Sequence, residues 1–429
     1  MKLNHSSIIK KSLPAFFGAR LAPMLGASAA FLLVAHKSPD DLSLFAYVLA
    51  VMSVVSTCCS LLFATTGNKA AELRGDKPAL ENFFSGGFTL ASLVAFLAFL
   101  VCTAAAYLLD ETESIKNLNT NAFWNLSLIY SFSIPLLIVN FFLQLFLEAT
   151  GKAAICANRK IVITAAGFSG LIIGSLYVDS AAFTYYAMSY FFVAELLATL
   201  AFTNLIRHQR YLCFSHAKRL ISYFVRFGTP IAVGMTGQKL YFYLLSERLL
   251  GIDIQLVAQL SICMTLIGLL MIPSLALSQI HSLQISQHPE NSRDYFLRSL
   301  WWVIGLMALS AALLAPSAKY LFILFGGSLI SYNENLLHTL IAFLTCSSLL
   351  SLAVAHLRAR NETLGPQLLI SFLMLALLIP GLYLFPFLNP GIEIFLGLQS
   401  ATAFTGFLLL CSRIYLIHRR DQNGRIDAA

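Results

Sequence analysis

The chain is a succession of apolar runs, most about 20 residues or longer, separated by short polar stretches. A helix rises 1.5 Å per residue, so about 20 apolar residues cross the hydrocarbon of a bilayer. The runs predict spans over 12–35, 43–66, 84–109, 122–148, 160–178, 181–206, 220–246, 255–283, 299–325, 334–358, 366–386 and 391–416. Only 11% of the 429 residues are charged and 58% are hydrophobic. A water-soluble chain carries about 25% charge, so these charges cannot coat a surface of this size. The runs are continuous rather than alternating, which excludes a barrel. The expected fold class is all-α: a polytopic membrane protein of about 12 transmembrane helices.

Formal net charge is +8, and its distribution is topological. Lys2, Lys10 and Lys11 precede the first run. Lys69, Arg74 and Lys77 follow the second, Lys152, Arg159 and Lys160 the fourth, and Arg207, Arg210, Lys218 and Arg219 the sixth. Arg293 and Arg298, Arg358 and Arg360, and Arg413, Arg419, Arg420 and Arg425 continue the pattern. The opposite loops carry Asp40, Asp41, Asp110, Glu111 and Glu113. By the positive-inside rule both termini are cytoplasmic and the expected location is the inner membrane. The same distribution argues against a nucleic-acid partner. The N-terminus has the outline of a signal peptide, but Arg20 interrupts its apolar run, so it is read as a span.

Several chemistries lack their residues. The fragment Thr150-Gly151-Lys152-Ala153 has Phe146 where a P-loop needs glycine and no hydroxyl after the lysine. HExxH and GxSxG are absent. The eight cysteines are scattered without a CxxC pair, as packing residues are. The chain is expected not to be an enzyme and to need no cofactor or metal.

Two halves are visible. Leu13-Pro14 opens span one and Phe227-Gly228-Thr229-Pro230 opens span seven, 216 positions apart counted between the prolines. Leu147-Glu148-Ala149-Thr150-Gly151-Lys152 ends span four, and Leu357-Arg358-Ala359-Arg360-Asn361-Glu362 ends span ten, 210 positions on. Near-constant offsets predict two six-helix lobes, 1–212 and 213–429, with a substrate cavity between them.

On these segments, with Thr66-Gly67 through Gly75-Asp76-Lys77 after span two, the chain resembles the multidrug/oligosaccharidyl-lipid/polysaccharide exporter superfamily. The multidrug and toxin extrusion (MATE) branch is nearest. The resemblance implies a two-lobed transporter with a V-shaped cavity that uses a Na⁺ or H⁺ gradient to expel organic cations, or that flips lipid-linked sugars. The acids that many members carry have no counterpart here: Ser28-Ala29, Gln238 and Ser347 stand at those places.

A charge near the bilayer centre costs roughly 2.5–3.5 kcal/mol on insertion scales and marks a candidate site. Glu195, inside span six, is the ion-coupling candidate. Arg20, Gln238, Lys239, Tyr190 and Ser347 are the substrate-cavity candidates. Arg226 is read as snorkelling to the interface, and His281 and His356 as structural helix-end residues. The expected function is a MATE-like secondary active transporter moving a small organic molecule across the inner membrane by alternating access. H⁺ or Na⁺ is the coupling ion, membrane lipids are the surroundings, and the chain is a monomer. The alternative is a flippase for a lipid-linked oligosaccharide or another anionic substrate, motivated by the missing acids together with Arg20 and Lys239.

Overall fold

A computed structural model describes residues 5–38, 41–110, 120–206, 214–250, 254–326, 333–384 and 391–426, and the described residues contain helices and no strand. Asp40, Glu111, Glu113, Arg207, Arg210 and Cys213 lie outside them. In hydrocarbon every backbone N–H and C=O must be satisfied within its own segment, so apolar runs of this length become helices. They are α1 (His5–Lys37), α2 (Leu42–Leu61), the short α3 (Thr66–Glu72), α4 (Lys77–Asp110), α5 (Thr120–Leu147), α6 (Ala153–Tyr177) and α7 (Ser180–Leu205). After them come α8 (Phe214–Leu250), α9 (Ile254–Gln287), α10 (Ser292–Gly326), α11 (Glu334–Ala359), α12 (Leu364–Leu384) and α13 (Ile392–Ile426). The middle of α12, Phe372–Leu378, is π-helical.

Ten runs of the described residues are long and apolar enough to cross a membrane. One of them, Ala122–Tyr177, is 56 residues long, nearly twice what a bilayer needs. A π turn at Glu148–Lys152, with Gly151 at φ 91°, breaks it into α5 and α6. α8 is not among the ten, because Arg226, Gln238 and Lys239 interrupt its apolar course. With the broken run counted twice and α8 added, each predicted span corresponds to one long helix. The chain is a multi-pass membrane protein. The largest departure is in span five, expected from 160: α6 starts at Ala153. Arg159 and Lys160, expected in the loop after span four, therefore lie two turns inside a helix.

Two compact units divide the chain, Pro14–Ala232 and Met1–Leu13 with Val233–Ala429. In the first, α5 is the central helix, packed on α2, α4 and α7. In the second, α11 is central, packed on α9, α10 and α13. The same helix order thus finds the same packing partners twice. The turns after the central helices match as well. Gly151 and Asn361 each stand four residues beyond the leucine of the paired motifs, and both have positive φ, 91° and 60°. At Asn361 this closes a helix C-cap: Glu362 N–H donates to Leu357 O at 2.9 Å. Helix α1 changes unit at Leu13/Pro14 and α8 at Ala232/Val233.

Glycines let the helices approach closely. A Cβ on Gly26 would overlap the Tyr190 hydroxyl, and one on Gly167 or Gly174 would overlap the ring of Tyr190 or Tyr186. Tyr186 Oη donates to Gly170 O at 2.8 Å, which fixes the ring on α6. Gly167→Ala is expected to destabilise by about 1–3 kcal/mol, the usual cost of overpacking. At Gly170 the nearest atom to a Cβ would be 3.7 Å away, so Gly170→Ala is the neutral control. Thermal melting of both variants checks this, and equal melting temperatures would show that the tyrosine ring yields freely.

Candidate functional site

Three of the polar side chains that the first unit buries form one stripe. Asn140, Gln144 and Glu148 recur every fourth residue of α5 and the π turn, so they stack on one face. They are 3%, 9% and 4% exposed. Each reaches a different neighbour. The Asn140 amide donates to Glu195 Oε2 at 2.7 Å and to the Glu195 carbonyl at 2.8 Å, while its own oxygen accepts from Thr199 at 3.0 Å. The Gln144 amide donates to Glu148 Oε1 at 2.6 Å, and its oxygen accepts from the Lys160 ammonium. Glu148 Oε2 pairs with Arg20 Nη2 at 3.3 Å, and Arg20 Nη1 donates to Phe16 O at 3.0 Å.

These links join α1, α5, α6 and α7 into one polar seam: Arg20, Glu148, Gln144, Lys160 on one side, Glu195, Asn140, Thr199 on the other. Lys160 brings α6 into the seam through its bond to Gln144. The ammonium also lies 5.9 Å over the Phe202 ring. The seam holds two cations and two carboxylates. Thr199, at its end, also lines a cavity of about 390 Å³ whose other walls include Ser92, Phe96, Phe99, Phe132 and Pro135. Phe96 and Phe132 are 60% and 50% exposed, as lipid-facing residues are.

Of the residues singled out in the sequence, Arg20 and Glu195 are members of this seam. Tyr190 is on the same helix as Glu195; its ring is seated on Gly26 and Gly167 and lies 5.5 Å from Phe191. Gln238, Lys239 and Ser347 belong to the other unit, each half-buried. Gly237, next to Gln238, lies against Ser371 of α12. Ser348, next to Ser347, is fully buried and bonded to Ser274 at 2.9 Å. Arg226 is exposed and stacks over Phe227 at 5.4 Å.

Asn140, Gln144, Glu148 and Lys160 were not singled out as site residues. Their signal was the four-residue spacing of three polar side chains at the end of an apolar run. In the second unit, His281 and His356 meet: Nε2 and Nδ1 are 3.1 Å apart and both residues are buried. Ser299 bonds His281 Nδ1 at 2.9 Å, the His418 ring stands edge-on to His356 at 5.4 Å, and Ser292 bonds His418 at 3.0 Å. Among the described residues no three His, Cys, Asp or Glu side chains are placed to hold a metal ion.

No protein-family profile and no curated protein matches the sequence. Solved structures do. A MATE transporter in complex with MaL6 matches at TM-score 0.82 with 14% identity, over 97% of this chain and 98% of that one. An outward-facing multidrug-resistance MATE transporter of the MOP superfamily matches at TM-score 0.79 and 14% identity, over 96% and 97%. A MOP superfamily transporter from Pyrococcus furiosus Vc1, whose binding pocket of reversed polarity suggests a different function, matches at 0.79 and 15%, over 96% and 97%. The chain has the fold of MATE transporters over nearly its whole length, as the sequence resemblance implied.

Proposed function

We propose that this protein is a secondary active transporter that moves a small organic molecule across the inner membrane by alternating access, with both termini in the cytoplasm. The observation that carries the reading is Glu195: a carboxylate inside a membrane span, held by the Asn140 amide and joined to a charged seam running through four helices. Intramembrane carboxylates are retained where they bind ions or protons. Fold likeness to MATE transporters supports the transport class, and the absence of a P-loop is in keeping with a gradient as the energy source. Glu195 is the coupling residue in this reading, with H⁺ or Na⁺ as the ion.

Uptake of a cationic dye into vesicles under an imposed pH or Na⁺ gradient tests it. Glu195→Gln is expected to reduce gradient-driven transport at least about tenfold, the effect of losing about 1.4 kcal/mol of coupling. Transport that survives the substitution would remove Glu195 from the mechanism. No dye transport by the parent protein, with loss of a surface glycan on deletion of the gene, would point to a flippase instead.

A further inference from the structure

We propose that the cavity walled by α4, α5 and α7 is a binding groove for one acyl chain of a membrane phospholipid. The proposal stands apart from the coupling role of Glu195 and is tested without it.

The first observation is how the walls are built. On α4 the lining residues are Ser92, Ala95, Phe96 and Phe99. On α5 they are Phe132, Pro135, Leu136 and Val139. Both sets follow the spacing i, i+3, i+4, i+7, so each is one face of its helix. Two such faces normally interlock. Here Phe99 and Phe132 meet with their rings 5.2 Å apart, while the small Ser92 and Ala95 leave about 390 Å³ unfilled. That volume is within the range of sites for small ligands. An empty void of this size forfeits the dispersion contacts of its lining, which an occupant restores.

The second is that the polar groups of the walls are turned away. Ser92 Oγ donates to Phe88 O at 2.9 Å. Thr199 Oγ donates to Asn140 Oδ1 at 3.0 Å and to Glu195 O at 2.9 Å. Pro135 has no N–H to give, and the remaining lining side chains are hydrocarbon. A sugar, a charged head or a water molecule would lose its hydrogen bonds on entering such a site. A hydrocarbon chain has none to lose.

The third is continuity with the bilayer. Residues 92–99 occupy the middle third of the 34-residue α4, a depth at which the membrane consists of acyl chains. Helix α4 has no charged residue between Glu81 and Asp110, and α5 has none at all. Leu93, Leu97 and Leu100 on α4 and Leu196 and Leu200 on α7 are exposed apolar residues on neighbouring turns. Phe96 and Phe132, in the walls themselves, are exposed with them, so the groove opens onto this lipid-facing surface. A chain seated in it covers Thr199 and keeps water from the Thr199–Asn140 bond behind it.

The test uses the full-length protein in detergent micelles with near-equimolar phosphatidylcholine carrying a diazirine in one acyl chain. After photolysis, peptide mapping by mass spectrometry is expected to find the label concentrated on residues 92–99 and 132–139. Ser92→Phe places a ring in the groove and is expected to reduce that label at least about tenfold, the factor for losing about 1.4 kcal/mol of binding. Leu97→Phe, on the open surface outside the groove, is expected to leave it unchanged. If Ser92→Phe does not fold, Val139→Phe fills the groove from the other wall and carries the same arm.

Label that is undiminished in the filled variant overturns the proposal, as does label spread evenly over exposed apolar residues such as Leu309 and Leu313. Unlabelled phosphatidylcholine is expected to compete; phosphocholine without chains is not, and competition by it would mean that a head group is what binds. Displacement of the label by a cationic dye would make the groove part of a substrate path and equally overturns the acyl-chain assignment.

Discussion

Gly228→Ala is expected to cost the protein a large part of its stability. A Cβ at this position would overlap the carbonyl oxygen of Leu62 and lie 2.7 Å from its carbonyl carbon and 2.8 Å from its Cα. These are backbone atoms of the turn between α2 and α3, so no rotamer relieves the clash. Helix α8 cannot back away either. Phe224, one turn earlier, packs on Phe63 at 5.0 Å and on Phe83 at 6.0 Å. The α4 backbone at Gly86 is so close to α8 that a Cβ there would stand 2.7 Å from the His216 carbonyl carbon, and Ser85 bonds His216 at 3.0 Å. Overpacking costs about 1–3 kcal/mol where side chains can give; against backbone on both sides the loss should reach about 4 kcal/mol, in the exceptional range for one substitution. Thermal melting in detergent measures it, with Gly305→Ala as control, since no neighbouring atom lies within 4 Å of a Cβ there. A Gly228→Ala protein that melts with its parent would show that the α2–α3 turn shifts at no cost.

The same corner explains what the sequence motifs meant. Arg74, from the segment after span two, lies against Gly151: a Cβ there would be 2.8 Å from its Nη2. Gly228, from the span-seven motif, lies under Leu62. The segments that carried the family resemblance in the first half therefore converge on one packing corner, which is why they foretold the fold and said little about what crosses the membrane. The long helices were legible because spanning a bilayer demands continuous apolar runs, a property of composition. Glu195 was legible because a charge in such a run is costly.

The rest of the seam was hidden by the same reasoning. Lys160 was counted among the cations after span four, and a boundary placed at 160 instead of Ala153 leaves it at the helix edge rather than two turns inside. Gln144 and Glu148 stand at the end of an apolar run, where polar residues arouse no suspicion; only their four-residue spacing from Asn140 betrays a face. The meeting of His281 with His356, 75 residues apart, depends on how α9 packs on α11, which no local pattern encodes.

Glu148→Ala is the second large effect, and its size relative to Arg20→Met is the informative part. The Glu148 side chain has no exposed surface and that of Arg20 is 21% exposed. Deleting the carboxylate strands the guanidinium and the Gln144 amide in a low-dielectric interior. Breaking a buried pair from one side costs about 3–5 kcal/mol, whereas replacing both partners with apolar groups of similar volume is often near neutral. Arg20→Met/Glu148→Met should therefore recover most of the stability that Glu148→Ala loses.

The two single changes are not equivalent, because Lys160 responds to them differently. Without Glu148 the seam holds Arg20 and Lys160 against Glu195 alone, an excess cation with nowhere to go. Without Arg20 it holds Glu195 and Glu148 against Lys160, whose head is already bonded to Gln144, the neighbour of Glu148. Arg20→Met should thus be the milder variant by about 1.5–3 kcal/mol, the worth of a hydrogen bond to a charged group. Melting temperatures of the parent, the two single variants and the double variant decide it. If Arg20→Met is as damaging as Glu148→Ala, Lys160 does not compensate Glu148, and the seam is two separate pairs rather than one shared set of charges.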